Sequence, residues 1–278
     1  MRVGVFTVGL PNFTPEEGAR EIADAGYEGV EWRVTHVAEQ YRKEEPSFWR
    51  NNLCTLEPTA EGAERVRIIA EREALQTVGL GTYIEVGDLK ATEEAMRFAK
   101  RAGAPRIRVG VGKTGEASYA DLLAASTEFL ADVEALAREY GVKALVEIHH
   151  GTICPSAALA YRLVSRFDPA AVGVIYDPGN MVREGFEDYR IGTEMLGPYL
   201  AHVHLKNAAF DRPEGGGTWR ARWAPLEDGV VDFDALFEAL SRVGYDGWLV
   251  VEDFSRTRPD REVLRHNLCF VRSIAERL

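Results

Sequence analysis

The amino-acid sequence predicts an α/β protein with one (β/α)8 barrel. Short runs of β-branched and aliphatic residues alternate with amphipathic segments, and this strand–helix unit occurs eight times along 278 residues. Alternating strands and helices indicate a parallel sheet, and eight units in about 250 residues are typical of a closed TIM barrel. No Gly-x-Gly-x-x-Gly follows the first strand, which disfavours a dinucleotide-binding fold. We therefore expect a single domain over residues 1–278.

The first half of the chain contains four of the predicted units. Thr14, Pro15 and Glu17 stand at the N-cap, first and third positions of a helix, which favour these residue types, and Gly26 ends that helix. The predicted strands of this half are 2–9, 27–34, 80–86 and 106–112. The predicted helices are 14–26, 61–79, 91–104 and 119–141.

The second half repeats the pattern. Its predicted strands are 143–150, 171–177, 200–207 and 247–254, and its predicted helices are 156–167, 187–196, 232–244 and 258–278. Between the seventh strand and its helix, the segment 211–229 contains three consecutive glycines, Gly215–Gly217. No Walker lysine follows them, so this segment predicts a flexible loop or flap rather than a phosphate-binding loop.

One connection is much longer than the others. It covers about 35–60 and carries His36, Arg42, Trp49 and Arg50. Long loops in compact domains are often functional, so we expect this one near the barrel mouth as a lid or specificity loop. The alternative is an insertion that packs on the side of the barrel or on a neighbouring subunit.

Composition limits the partners and the compartment. The net charge is −11 and the isoelectric point is near 5.2, which disfavours binding to a nucleic-acid backbone. The three cysteines are far apart and form no Cys-x-x-Cys, as is typical of proteins in a reducing cytosol. No secretory leader is recognisable, and no apolar run approaches the ~20 residues that span a bilayer. We expect a cytoplasmic protein without membrane or nucleic-acid partners.

Each of the last four predicted strands ends in ionisable side chains. These are Glu147 on strand five, Asp177 on strand six, His202, His204 and Lys206 on strand seven, and Glu252 on strand eight. The active sites of TIM barrels lie at this end of the strands. Three carboxylates and an imidazole at one rim would be unstable without a cation among them. This donor set suits a hard or borderline divalent ion: Mn, Mg, Co or Zn.

Four stretches of sequence together resemble the sugar phosphate isomerase/epimerase superfamily, the xylose isomerase-like TIM barrels. They read "VEIHHG", "YDPGN", "HVHLKN" and "PLEDGVVDFDALFEALSRVGYDGWLVVED", and the resemblance covers essentially the whole chain. It implies one divalent metal ion held by Glu147, Asp177, His204 and Glu252. His202 would then support His204 from below.

The resemblance implies an isomerase or epimerase of a ketose or a related small hydroxy-carbonyl compound. Its members bind the substrate oxygens on the metal, which stabilises an enediolate. Glu147 and Glu252 would exchange the proton. The alternative is a metal-dependent dehydratase of a keto-cyclitol, such as an inosose or dehydroshikimate. The least favoured reading is a non-catalytic sugar-binding barrel. A homo-oligomer is compatible with the resemblance, because relatives are often dimers or tetramers.

Four further residues are candidates to bind a carbohydrate-like substrate: His149, Asn180, Arg183 and Lys206. Asn180 stands where many relatives carry the histidine of an Asp-x-x-His motif, which puts in doubt any mechanism that needs that histidine. The chain has only six histidines, so the three-zinc site of a DNA-repair endonuclease in this superfamily is not expected. For Arg183, a solvated position at a helix start is an equal alternative.

Three charged residues on the second and fourth predicted strands are expected to face the barrel interior. Glu31, Arg33 and Arg108 have spacings that point them into the barrel. We expect them to form a salt bridge that lines the barrel, with a direct role at the active site as the second option.

Overall fold

The computed structural model describes residues 1–277. Its strands are β1 (Arg2–Phe6), β2 (Gly29–Arg33), β3 (Gln76–Gly81), β4 (Arg106–Val109), β5 (Lys143–Glu147), β6 (Val172–Tyr176), β7 (Leu200–Leu205), β8 (Asn207–Asp211), β9 (Arg220–Ala224) and β10 (Trp248–Val251). Its helices are α1 (Pro15–Ala25), α2 (Ala60–Arg72), α3 (Leu89–Ala102), α4 (Tyr119–Tyr140), α5 (Ala157–Val164), α6 (Pro178–Glu184), α7 (Tyr189–Leu196), α8 (Phe233–Arg242) and α9 (Asp260–Ala275).

Eight of the strands close into a parallel barrel. Their order around the barrel is β1-β10-β7-β6-β5-β4-β3-β2, with β1 hydrogen-bonded to both β10 and β2. The helices surround it, as expected for strand–helix units joined in sequence. The prediction of a (β/α)8 TIM barrel is therefore confirmed. This strand order also places β5, β6, β7 and β10 side by side, so the carboxyl ends of these four strands are neighbours.

Two clusters of buried apolar side chains stabilise the fold. Trp32 and Tyr176 in the first cluster and Phe6 in the second are among the largest fully buried side chains. Burying an aliphatic or aromatic side chain of this kind contributes about 1.5–3 kcal/mol. The predicted start of α1 is also present, because the side chain of Thr14 accepts a hydrogen bond from the Glu17 N–H, and Glu17 bonds back to the N-cap backbone. This capping box satisfies two N–H groups that the helix leaves free.

The third unit differs from its prediction. The helix ends at Arg72 rather than at Gly79, and β3 occupies Gln76–Gly81 rather than 80–86. Ala74 adopts a positive φ of 54°, which turns the chain out of the helix. The apolar run across 75–80 was compatible with either element, and the turn at an alanine carries no signal in the sequence. A further helix, α6, occupies Pro178–Glu184, where no helix was predicted.

The segment after the seventh barrel strand also differs from its prediction. Residues Asn207–Asp211 and Arg220–Ala224 form an antiparallel two-stranded ribbon, so 211–229 is only in part a loop. The three glycines lie between the two strands, and all have positive φ, which favours glycine at the turn. The ribbon rises from the carboxyl end of β7 and carries Trp223 on its second strand.

Two remaining predictions concern the last helix and the absence of a membrane-spanning segment. The helix predicted over 258–278 is observed as Asp260–Ala275, and Leu278 lies outside the described residues. Within residues 1–277, no helix has both the length and the apolar character needed to cross a membrane.

Candidate metal centre and active site

Four side chains meet at the carboxyl ends of neighbouring barrel strands. Glu147 is the last residue of β5, Asp177 directly follows β6, His204 lies in β7, and Glu252 directly follows β10. Each offers one ligand atom, and these four atoms all lie within 4.8 Å of one another. The structure thus brings together the four residues predicted as ligands, because adjacent parallel strands end at the same edge.

Local sequence explains how Asp177 is presented. It is the N-cap of α6, and its Oδ1 accepts a hydrogen bond of 2.8 Å from the Asn180 N–H. Pro178 stands at the first helical position, where a proline loses no hydrogen bond. The sequence "DPGN" therefore starts a helix. Capping occupies Oδ1 of Asp177, and Oδ2 is the oxygen that can bind a metal ion.

The four side chains fit a divalent cation. All are buried, with at most 5% of their surface exposed. Asp177 Oδ2 is buried without a hydrogen bond of normal geometry, although Lys206 Nζ lies 2.7 Å away and also contacts Glu252. Buried carboxylates require compensating positive charge. Three oxygen donors and one imidazole provide the ligand types that Mg, Mn, Co and Zn accept.

Glu147 is held in its charged form by its neighbours. Arg108 Nη1 lies 2.5 Å from Glu147 Oε2, and His204 Nδ1 lies 3.3 Å from Oε1. Burial by itself would raise the pKa of Glu147, but Arg108 and His204 keep that pKa well below its ordinary value. Asn180 also donates to this carboxylate at 3.5 Å, and to the carbonyl of Ile148 at 3.2 Å.

The salt bridge expected among Glu31, Arg33 and Arg108 is not formed, and that expectation was wrong. Arg108 pairs with Glu147, and Arg33 binds Thr55 and the carbonyl of Trp49. These partners lie on a neighbouring strand and on the long connection, which the spacing of residues within one strand does not reveal.

Glu31 instead contacts two histidines of β7. Its Oε2 lies 2.8 Å from His202 Nε2 and 3.1 Å from His204 Nε2. Burial opposes ionisation of Glu31, but the two imidazoles outweigh it and lower the pKa of this carboxyl. Burial lowers the pKa of His202 to about 4, so this ring is neutral at pH 7. His204 has the opposite shift: burial disfavours its charged form, but the surrounding carboxylates raise its pKa.

Glu252 differs from Glu147 in its surroundings. Burial raises the pKa of Glu252 to about 7, against the attraction of Lys206 and His204. Lys206 is itself buried, and although burial disfavours its charge, Asp177 and Glu252 raise its pKa. The surroundings thus lower the pKa of Glu147 and raise the pKa of Glu252, although both belong to one cluster.

A cavity of about 440 Å³ opens above the cluster. Glu147 and Glu252 lie in its wall, together with His149, Arg183 and Lys206. The structure thus places three of the four predicted substrate contacts on this wall, and it places Asn180 behind Glu147. A wider cleft of about 720 Å³ lies beside Arg256 and the start of α9, and its lining includes none of the four ligands.

Aromatic side chains form one side of the cavity. Trp49 and Phe254 have ring centroids 4.8 Å apart, and Trp223 and Phe254 have centroids 5.8 Å apart. Lys206 Nζ lies 5.1 Å from the centre of the Trp223 ring. Trp49 belongs to the long connection 35–60, so that segment does contribute to the cavity. Tyr83, Trp223 and Phe254 were not singled out from the sequence, where they resemble ordinary core aromatics.

A closed parallel barrel with a buried carboxylate–imidazole cluster beneath such a cavity is the architecture of a TIM-barrel enzyme with a candidate metal centre. The family model described as xylose isomerase-like TIM barrel matches residues 19–274. The chain belongs to this family.

One curated relative is similar over almost the whole chain. It is an inosose dehydratase of Geobacillus thermodenitrificans, 33% identical over 284 aligned residues that cover 91% of this chain and 89% of the relative. An inosose dehydratase of Lacticaseibacillus casei is 30% identical over 125 residues, which cover 42% of either chain.

Solved structures share the fold at much lower identity. The IOLI protein with a bound zinc atom superposes with a TM-score of 0.75 and 17% identity, covering 100% of this chain and 99% of that one. The apo form of 3-keto-D-glucoside 4-epimerase from E. coli superposes with a TM-score of 0.72 and 18% identity, covering 98% and 99%. At such identities these two likenesses show the fold alone.

Proposed function

We propose that this protein is a divalent-metal-dependent dehydratase of a polyhydroxylated cyclic ketone, a keto-cyclitol of the inosose type. The supporting observation is that Glu147 and Glu252 meet in one cavity wall, inside an intact four-ligand cluster. The full-length likeness to an inosose dehydratase favours water elimination over the isomerase or epimerase reaction that was the first expectation. Both reactions begin by removing a proton next to a carbonyl.

The ligand cluster provides the electrostatic part of the reaction. A divalent ion bound there would polarise the ketone oxygen and so acidify the neighbouring C–H bond. Asp177 and His204 are proposed to bind only the metal ion, because neither lies in the cavity wall where a substrate would sit. Glu147 and Glu252 both hold a ligand position and face the substrate.

Glu252 is the better placed of the two to accept the proton. Glu147 is engaged by Arg108 at one oxygen and by His204 and Asn180 at the other. Glu252 contacts only Lys206 among the cations within hydrogen-bonding distance in residues 1–277. A less fully engaged carboxylate retains more basicity, and its position in the wall allows it to reach the substrate.

The second half of the elimination requires an acid. The C–H bond adjacent to the ketone breaks and its proton moves to Glu252, the carbon–carbon double bond forms, and the β-hydroxyl leaves with a proton as water. His149 and Lys206 are the candidate donors. His149 Nδ1 donates to the carbonyl oxygen of His150 at 2.6 Å, and the described residues offer no hydrogen-bond partner to its Nε2. Nε2 of the neutral ring can accept from a substrate hydroxyl, and His149 would act as the acid only with a second hydrogen on Nε2.

The cavity also favours a ring-shaped substrate. Trp49, Trp223 and Phe254 form an aromatic part of the cavity wall, and the cations of Arg183 and Lys206 lie beside the Trp223 ring. The C–H face of a six-membered cyclitol can pack on such rings while its hydroxyls bind the charged groups of the wall. An open-chain ketose would use less of this wall.

Arg183 is proposed to bind substrate oxygens. Its guanidinium lies 5.0 Å from the centre of the Trp223 ring, and no carboxylate among residues 1–277 forms an ion pair with it. We expect Arg183→Gln to raise KM about tenfold or more, because a hydrogen bond to a charged group contributes about 1.5–3 kcal/mol. Arg190→Gln, which removes an exposed cation on α7, should leave KM unchanged. An unchanged KM for Arg183→Gln would assign this side chain to solvent.

The proposed function is tested by proton NMR in D2O with the full chain, added Mn²⁺ or Mg²⁺, and a panel of inososes, dehydroshikimate and ketoses. Conversion of an inosose to an unsaturated ketone supports the proposal. Deuterium uptake next to the carbonyl with an isomeric product would instead assign an epimerase or isomerase. If the metal-loaded protein leaves every compound unchanged while binding them, the barrel is a sugar-binding protein and the proposal fails.

A further inference from the structure

We propose that Glu31 is a positioning residue that fixes the tautomer of His204, so that Nδ1 carries the lone pair offered to the metal ion. The proposal rests on the metal-dependent function given above. Glu31 lies on β2, and β1 and β10 separate it from β7 in the barrel. It reaches His204 through the barrel interior rather than along the rim.

The two nitrogens of His204 face different surroundings. Nδ1 faces the cluster, at 3.3 Å from Glu147, 3.7 Å from Asp177 and 3.9 Å from Glu252. Nε2 faces away from the cluster, at 3.1 Å from Glu31 Oε2. A carboxylate can only accept, so Nε2 carries a hydrogen and donates it to Glu31. Nδ1 has the Glu147 carboxylate within hydrogen-bonding distance, and an ion bound by the cluster would take the place of a hydrogen there. A ring that keeps its hydrogen on Nε2 then offers the Nδ1 lone pair toward the other three ligands.

A second histidine confirms the direction of these hydrogen bonds. Arg106 Nη1 lies 3.2 Å from His202 Nδ1, and a guanidinium can only donate, so His202 Nδ1 is the acceptor. His202 therefore carries its hydrogen on Nε2 and donates it to Glu31 Oε2 at 2.8 Å. Arg106, His202, Glu31 and His204 form one chain in which each donor has an acceptor. Both rings carry a hydrogen on Nε2 in this chain.

The surroundings leave His204 no easy alternative. Its ring is fully buried and packs against Phe6, with centroids 5.7 Å apart. Loss of the Glu31 carboxylate would leave Nε2–H without an acceptor and would allow the hydrogen to occupy Nδ1, where it blocks metal binding. Carboxylates that orient a ligand histidine in this way typically contribute 10–100-fold to metal affinity.

Two variants of Glu31 and one of His202 test the proposal. Glu31→Ala removes the acceptor, and Glu31→Gln keeps an amide oxygen that can accept from Nε2–H. His202→Gln replaces the neighbouring imidazole by an amide that can still donate, while keeping Glu31. We expect titration calorimetry with Zn²⁺ to give an affinity 10–100-fold weaker for Glu31→Ala. Glu31→Gln should recover part of that loss, and His202→Gln should change the affinity less than threefold.

A spectroscopic measurement separates positioning from a general structural effect. With ¹⁵N-labelled histidine, two-bond ¹H–¹⁵N correlation spectra of the metal-free and Zn²⁺-loaded protein assign the hydrogen of His204 to one nitrogen. We expect Nε2–H in the Zn²⁺-loaded wild type and a mixture of tautomers in Glu31→Ala. If Glu31→Ala does not fold, Glu31→Gln is compared with the wild type instead, and its neutral amide, a weaker acceptor, should give a smaller share of Nε2–H and a lower zinc affinity.

An Nδ1–H tautomer in the loaded wild type, or unchanged zinc affinity in Glu31→Ala, would overturn the proposal. Neither measurement uses a substrate. A protein that binds zinc through Nδ1 but dehydrates nothing would therefore leave this inference standing and would refute only the proposed function.

Discussion

Removal of divalent metal is expected to abolish turnover, and added Mn²⁺, Mg²⁺, Co²⁺ or Zn²⁺ should restore it. Without the ion, Asp177, Glu147 and Glu252 remain buried within reach of one another, and Lys206, Arg108 and His204 offset their charge in part. The ketone would lose its polarising cation. Dialysis against a chelator, with metal content measured by mass spectrometry, followed by activity assays with each ion, tests this expectation.

Metal binding is also expected to stabilise the folded protein. An ion at 100 times its dissociation constant stabilises the folded state by about 2.7 kcal/mol. For a chain of this size that corresponds to a rise in the unfolding temperature of roughly 5–10 °C. Asp177→Asn is the matched control, because it keeps the shape of the N-cap but removes a ligand charge. Full activity in metal-free protein, or an equal stabilisation of Asp177→Asn, would contradict the assigned centre.

Glu252→Gln is expected to lower kcat by about 10²–10⁴, the range that general acid–base catalysis contributes. The amide is close in shape to the carboxylate but cannot accept the proton next to the ketone. Because Glu252 is also a proposed ligand, kcat must be measured at saturating metal, with affinity determined separately by calorimetry. Deuterium exchange next to the carbonyl should disappear together with dehydration.

Asp253→Asn provides the control for this variant. Asp253 is adjacent in sequence and buried, but its Oδ2 binds Asn267 and it is absent from the cavity wall. We expect it to lower the unfolding temperature and to leave kcat within about twofold, because a buried hydrogen bond contributes about 1 kcal/mol to stability. A metal-saturated Glu252→Gln protein that turns over at the wild-type rate would exclude Glu252 as the base and leave Glu147 as the candidate.

The choice between elimination and epimerisation came from the full-length relative rather than from the cluster. The same four ligand types serve both reactions in the superfamily that the sequence resembles. The later steps differ, because only elimination requires an acid beside the β-hydroxyl. His149 and Lys206 are both placed to provide it, and the products of the NMR assay decide whether either does.

Much of the centre was predictable from the sequence. Glu147, Asp177 and Glu252 each follow an apolar strand, and parallel strands of a barrel end at one edge, so their convergence follows from the fold. The choice of His204 over His202 came from the family resemblance and from its position nearer the rim. The eight units were recognisable because strand and helix periods differ and glycines or capped helices separate them.

Other features depended on contacts between distant parts of the chain. The sequence did not reveal that Arg108 pairs with Glu147, that Glu31 reaches His204, or that Trp223 lies in the cavity wall on a two-stranded ribbon. Side-chain spacing within a strand shows which face a residue occupies, but not which residue it meets across the barrel. The sequence by itself therefore determined the barrel and the residue types of the candidate metal centre. Strand register and barrel closure decided which residues each candidate ligand contacts, because register and closure set the distances between residues that are remote in the chain.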